Sequence, residues 1–240
     1  AIGHQPCADR RRDVVATYNK KTRAELIALN ARFPWQAGLD SAGIGAVPTF
    51  VVAELDTMRP LSQLVLATPL DTWKAYLTFH YIHGVAPQLP ANIDDENFAF
   101  FGTILNGQPQ QRERWKRAVS ALNGSLGEAV GKLYVDRHFP ASSKAQMQQL
   151  VENMRAAYGN RIDQLDWMSA ETKVAAREKL RTFRPKIGYP DKWRDYSQFD
   201  VRAGDAFGNA LRSAAYEWNR QIERITQPTD RDEWYITTFT

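Results

Sequence analysis

Between residues 147 and 165 the chain places Met147, Leu150, Val151, Met154, Tyr158, Ile162 and Leu165 at spacings of three and four. That period puts every one of them on one face of an α-helix. The pattern recurs. Trp73, Tyr76, Leu77, His80 and Tyr81 form one stripe, and Trp115, Val119, Leu122, Leu126, Val130, Leu133 and Tyr134 another. Phe207, Leu211, Ala214, Trp218, Ile222 and Ile225 form a third. A chain dominated by such stripes is mainly α, a multi-helical domain with a few short strands. Leu150, Met154 and Ile162 are expected to be buried.

Shorter helices fit residues 10–30, 56–66, 95–105 and 170–182. Asp71 is a plausible cap for the Trp73 helix, and Ser169 for the helix that follows it, with Glu171 in the first turn. Ser125 and Glu128 have capping-box spacing. Asn123-Gly124 before them either breaks one long helix or only weakens it. Strand signals are confined to "TFVVA" at 49–53 and the terminal "WYITTF". Residues 35–48 read as a flexible connection. "RPKIGYPDKWRDYS", with two prolines and a glycine, reads as an ordered loop, with Tyr189 and Trp193 packed down to pin it.

The composition narrows function mainly by exclusion. A net charge of +4 over 240 residues, without a dense basic stripe, gives no nucleic-acid footprint. Arg10-Arg11-Arg12 reads as a solvated helix start. No run approaches the ~18 apolar residues that a membrane helix needs. The single cysteine, Cys7, excludes an intrachain disulfide.

His80 and His83, three apart, could share a metal, but no acid stands at ligand spacing. They read as a core histidine and a surface histidine. Asp94-Asp95-Glu96 could bind a cation, yet acids before an apolar run more often cap a helix. Gly127 and Gly131 suggest a close helix crossing. No hydrolase, phosphate-binding or zinc motif is present. The residues therefore give no catalytic and no metal-binding candidate, and they leave any substrate-binding residues unknown.

Four stretches together carry a resemblance: "YNKKT" at 18–22; "LGEAVGKLYVDRHFP" at 126–140; "WMSAETKVAAREKL" at 167–180, running on to "KIGYPDKWRDYS"; and "DRDEWYITTFT" at the end. Their order and spacing resemble the neprilysin and endothelin-converting-enzyme family of zinc metallopeptidases. The resemblance implies that residues 1–240 are part of the N-terminal helical lid domain. Residues 232–240 would begin the crossing to a catalytic domain outside this sequence, and Tyr235, Ile236 and Phe239 would pair with one of its strands. It further implies a parent zinc metalloendopeptidase acting on small peptides, with zinc bound outside this chain. The partners would be peptide substrate and the catalytic domain. The lone cysteine suggests a bacterial relative, and family analogy a periplasmic or secreted location. The competing expectation is a stand-alone helical module that binds a peptide or protein without catalysis.

Overall fold

The computed structural model describes residues 12–234, which fall into two units. One unit is the described part of Ala1–Gly107 together with Arg202–Pro228. The other is Gln108–Val201 with the described residues from Thr229 on. Helix dominates both, and the described residues hold one two-stranded sheet.

In the first unit, β1 (Lys20–Thr22) pairs antiparallel with β2 (Thr49–Val51), Lys21 opposite Phe50. A single helix over 10–30 does not form. Asp13 folds residues 13–17 into a turn by accepting from the Val15 and Ala16 N–H groups. Helix α1 (Arg23–Leu29) starts only at Arg23, because Thr22 and Glu25 make a reciprocal capping box. Asn19 then ties the strand entry to the Val52 carbonyl, at 3.0 Å.

The stretch 35–48 is not a plain connection. It contains α2 (Trp35–Ser41), followed by a turn with Gly43 at φ +75°. Tertiary packing accounts for a helix this short. Leu39 is buried with Leu26 and Val52, and Trp35 and Ile44 pack against that cluster. The Trp35 indole also donates to the Asn30 carbonyl.

Helix α3 (Leu55–Ala67) precedes α4 (Leu70–Val85), and the Trp73 indole on α4 donates to the Val65 carbonyl on α3. Asp71 does not cap α4. Pro69 occupies that position, and Asp71 sits in the first turn, paired with Lys74. Next come a short 3₁₀ turn (Ala86–Gln88), α5 (Ala91–Asn97) and a π-helix (Phe98–Leu105), where continuous α-helix is expected over 95–105. Near the C-terminus of the unit, Asp205 caps α9 (Ala206–Arg224) by accepting from the Gly208 N–H. The rings of Tyr81 on α4 and Phe207 on α9 meet edge to face, 6.4 Å apart.

In the second unit, α6 (Arg114–His138) runs through Asn123-Gly124 and is irregular at Leu126 (φ −124°, ψ 28°). Ser125 caps nothing: its hydroxyl donates back to the Ala121 and Leu122 carbonyls within the same helix. Gly127 and Gly131 are both buried. Helices α7 (Ala141–Gln164) and α8 (Ala170–Thr182) are joined by a short turn. Ser169 caps α8 through the Thr172 N–H, and Arg177 on α8 grips the Asp163 carboxylate with two nitrogens.

Burial departs from expectation on all four long stripes, with Trp115 and Leu133 on α6 and Trp218 on α9 exposed. On α7, Leu150 and Met154 are each 48% exposed, and on α4 Tyr76, Leu77 and Tyr81 are also exposed. Periodicity marks a face as apolar but does not say what covers it. Trp234 is buried, whereas the strand expected over 235–240 lies outside the described residues.

Candidate functional site

The loop after α8 is the most heavily constructed irregular segment of the second unit. Gly188 turns it at φ +71°, and an added Cβ there would come within 2.7 Å of Phe139. Phe139 meets Tyr189 edge-on at 6.0 Å, and Trp193 stacks on Tyr189 within 7° of parallel. Pro190 between them is buried. Both aromatics therefore pin the loop, as the sequence suggests.

Charged groups fix the same loop from two helices. Lys144 on α7 donates to the Tyr189 carbonyl and to Asp191 Oδ1, both at 2.8 Å, and lies 4.1 Å from the Tyr189 ring centroid. Glu128 on α6 accepts from the Arg194 backbone N–H at 2.8 Å and lies 3.5 Å from the Arg194 side chain. Glu128, expected in a capping box, is instead a loop anchor. That role depends on a partner 66 residues away and could not be inferred from local spacing. Ahead of Gly188, Arg184 pairs with Asp232 at 2.5 Å and Lys186 donates to the Glu233 carbonyl. The loop thus also fastens the segment leading to Trp234.

In the first unit the histidines sit opposite to expectation. His80 is exposed, and His83 is half-buried. The π-helix brings Phe101 under His83, with ring centroids 3.8 Å apart, and Asn97 lies 2.6 Å from His83 Nδ1. This is a packed aromatic arrangement rather than a ligand pair. Asp94 is buried in the first turn of α5, beyond the Pro90 cap position. Among the described residues no group of three or more His, Cys, Asp and Glu could hold a metal ion. These residues do not fit a zinc site, and no reaction step can be drawn through them. No helix among them is long and apolar enough to cross a membrane.

Residues 1–190 match the N-terminal model of peptidase family M13. The mouse protein endothelin-converting enzyme-like 1 is 31% identical over 238 residues, covering 95% of this chain and 30% of that protein. Among solved structures, the Mycobacterium tuberculosis zinc metalloprotease Zmp1 in its open state superposes with a TM-score of 0.87 at 37% identity. That match covers 97% of this chain and 36% of Zmp1. Zmp1 in complex with an inhibitor matches at a TM-score of 0.86, also at 37% identity, covering 96% of this chain and 35% of Zmp1. The chain belongs to peptidase family M13. It spans about a third of the length of the curated relatives it matches.

Proposed function

We propose that this chain is the substrate-enclosing helical part of a zinc metalloendopeptidase that acts on small peptides. The carrying observation is the Zmp1 match: nearly the whole chain superposes on about a third of a zinc metalloprotease. Two features support the enclosing role. The apolar faces of α4 and α7 are uncovered within the chain, the state of helices whose other side meets something larger. The loop 183–201 is held by side chains from α6 and α7, so that part of the wall is rigid.

In this reading the chain shapes and restricts access and does no chemistry itself. Zinc, held by residues outside this sequence, would supply a polarised water. A periplasmic or secreted site and a bacterial source complete the proposal, on family analogy alone.

The test compares the complete gene product with the 240-residue chain, using a quenched fluorescent peptide with and without a zinc chelator. Chelator-sensitive cleavage by the complete protein and none by the chain is the expected outcome. Cleavage by the chain alone would refute it. So would a complete protein that cut folded proteins as readily as short peptides. A complete gene product ending at Thr240 that bound peptides without cutting them would instead establish the binding module.

A further inference from the structure

In the first unit, the C-terminal ends of α1 and α3 border an open groove of about 630 Å³. Arg59, Gln63, Leu66 and Ala67 recur along one face of α3, and Leu29 and Arg32 face them from the end of α1 and the turn beyond. The nine lining residues include two arginines and no acid. Some arginines of the chain are paired, Arg155 with Glu152, Arg194 with Glu128 and Arg212 with Asp205. Neither the Arg32 nor the Arg59 side chain has a hydrogen-bond or ion-pair partner among the described residues.

Two uncompensated guanidinium groups in one concavity give a local positive potential. Guanidinium is the side chain best suited to grip a carboxylate with two parallel hydrogen bonds. Leu29, Leu66 and the alanines beside them offer apolar wall, and the Gln63 amide can both donate and accept. We propose that this groove binds a carboxylate-bearing peptide segment. Arg32 and Arg59 hold an acidic side chain of that segment, and an adjacent apolar side chain rests on Leu29 and Leu66. The inference stands on the groove and holds whether or not the complete protein is a peptidase.

The test is fluorescence anisotropy of the 240-residue chain with a labelled peptide that carries Leu-Glu and a C-terminal amide. Its twin carries Leu-Gln and a C-terminal amide. The acidic peptide should bind about tenfold more tightly, with a preference that shrinks as salt shortens the range of the charges. Arg32→Gln and Arg59→Gln should each weaken the acidic peptide about fivefold and leave the neutral twin unchanged, with lysine at either position restoring part of the loss. Both side chains are exposed, so the variants should keep the parent helical spectrum. The peptide pair tests the preference independently of any variant. No binding, equal binding of the twins, or a preference that survives the double variant would overturn the proposal. If inorganic phosphate displaced the peptide fully and Leu→Ser in the peptide changed nothing, the groove would be a simple anion site and the peptide assignment would fail.

Discussion

Lys144 and Tyr189 are joined twice: the ammonium donates to the Tyr189 carbonyl at 2.8 Å and lies 4.1 Å from the centre of the same residue's ring. One cation thus fixes both the backbone and the side-chain plane of a loop residue 45 positions away. The Lys144 side chain is only 12% exposed, so both interactions are partly shielded from water. Its ion pair with Asp191 adds little, because that carboxylate is 97% exposed.

Lys144→Met keeps the aliphatic stem and removes the charge. It should destabilise the second unit by about 1.5–3 kcal/mol, the range for a charge-assisted hydrogen bond. Amide exchange at residues 187–193 should rise more than exchange along α8. Urea denaturation and hydrogen exchange measure the two effects, and uniform acceleration would mean that the lysine does not hold the loop.

Gly188 and Gly204 form a matched pair. Both have left-handed φ, +71° and +76°, but only at Gly188 does an added Cβ meet another residue, at 2.7 Å from Phe139. Gly204→Ala should cost about 1–2 kcal/mol, from backbone conformation alone. Gly188→Ala should cost about 1 kcal/mol more and should disturb the Phe139–Tyr189 contact. Equal losses in thermal unfolding would show that Phe139 moves aside freely.

The cap of α9 should respond to acid. The Arg212 guanidinium and then the Gly208 N–H hold the Asp205 carboxyl below its ordinary value of 3.8. A depressed folded pKa stabilises above the unfolded value and is lost as pH falls through the folded one. The first turn of α9 should therefore fray below about pH 4. Asp205→Asn keeps an oxygen for the Gly208 N–H but cannot titrate, and it should abolish that response. The Gly208 amide shift followed through the titration is the readout.

Leu26 is 4% exposed in the small core with Leu39 and Val52, while Leu150 is 48% exposed on α7. Leu26→Ala should cost about 2–5 kcal/mol. In the isolated chain, Leu150→Ala should cost less than about 1 kcal/mol. Equal costs in denaturant titrations would mean that the α7 stripe is covered in solution.

The long helices were legible because three- and four-residue spacing is a local property. Helices α6, α7 and α9 are read directly from Trp115, Met147 and Phe207 onward. The "KIGYPDKW" loop was legible too, because two closely spaced aromatics have little use in a mobile segment. What the sequence hid depends on distant partners. Strand β1 exists because Lys21 lies opposite Phe50, and α2 because Leu39 reaches Leu26. Reading Ser125 and Glu128 as a local cap failed because Glu128 serves Arg194 instead. The groove at Arg32 and Arg59 left no sequence signal, since its two arginines belong to different elements.

The fastening of Asp232 by Arg184 and of the Glu233 carbonyl by Lys186 has a mechanical consequence. With Trp234 buried as well, a pull on the backbone beyond it does not stop at the last turn of a helix. The load passes to the loop, and from there through Lys144 and Glu128 to α7 and α6. The second unit would then yield to such a force as one stiff lever, with the clasp at Asp232 and Glu233 as its first bond to break.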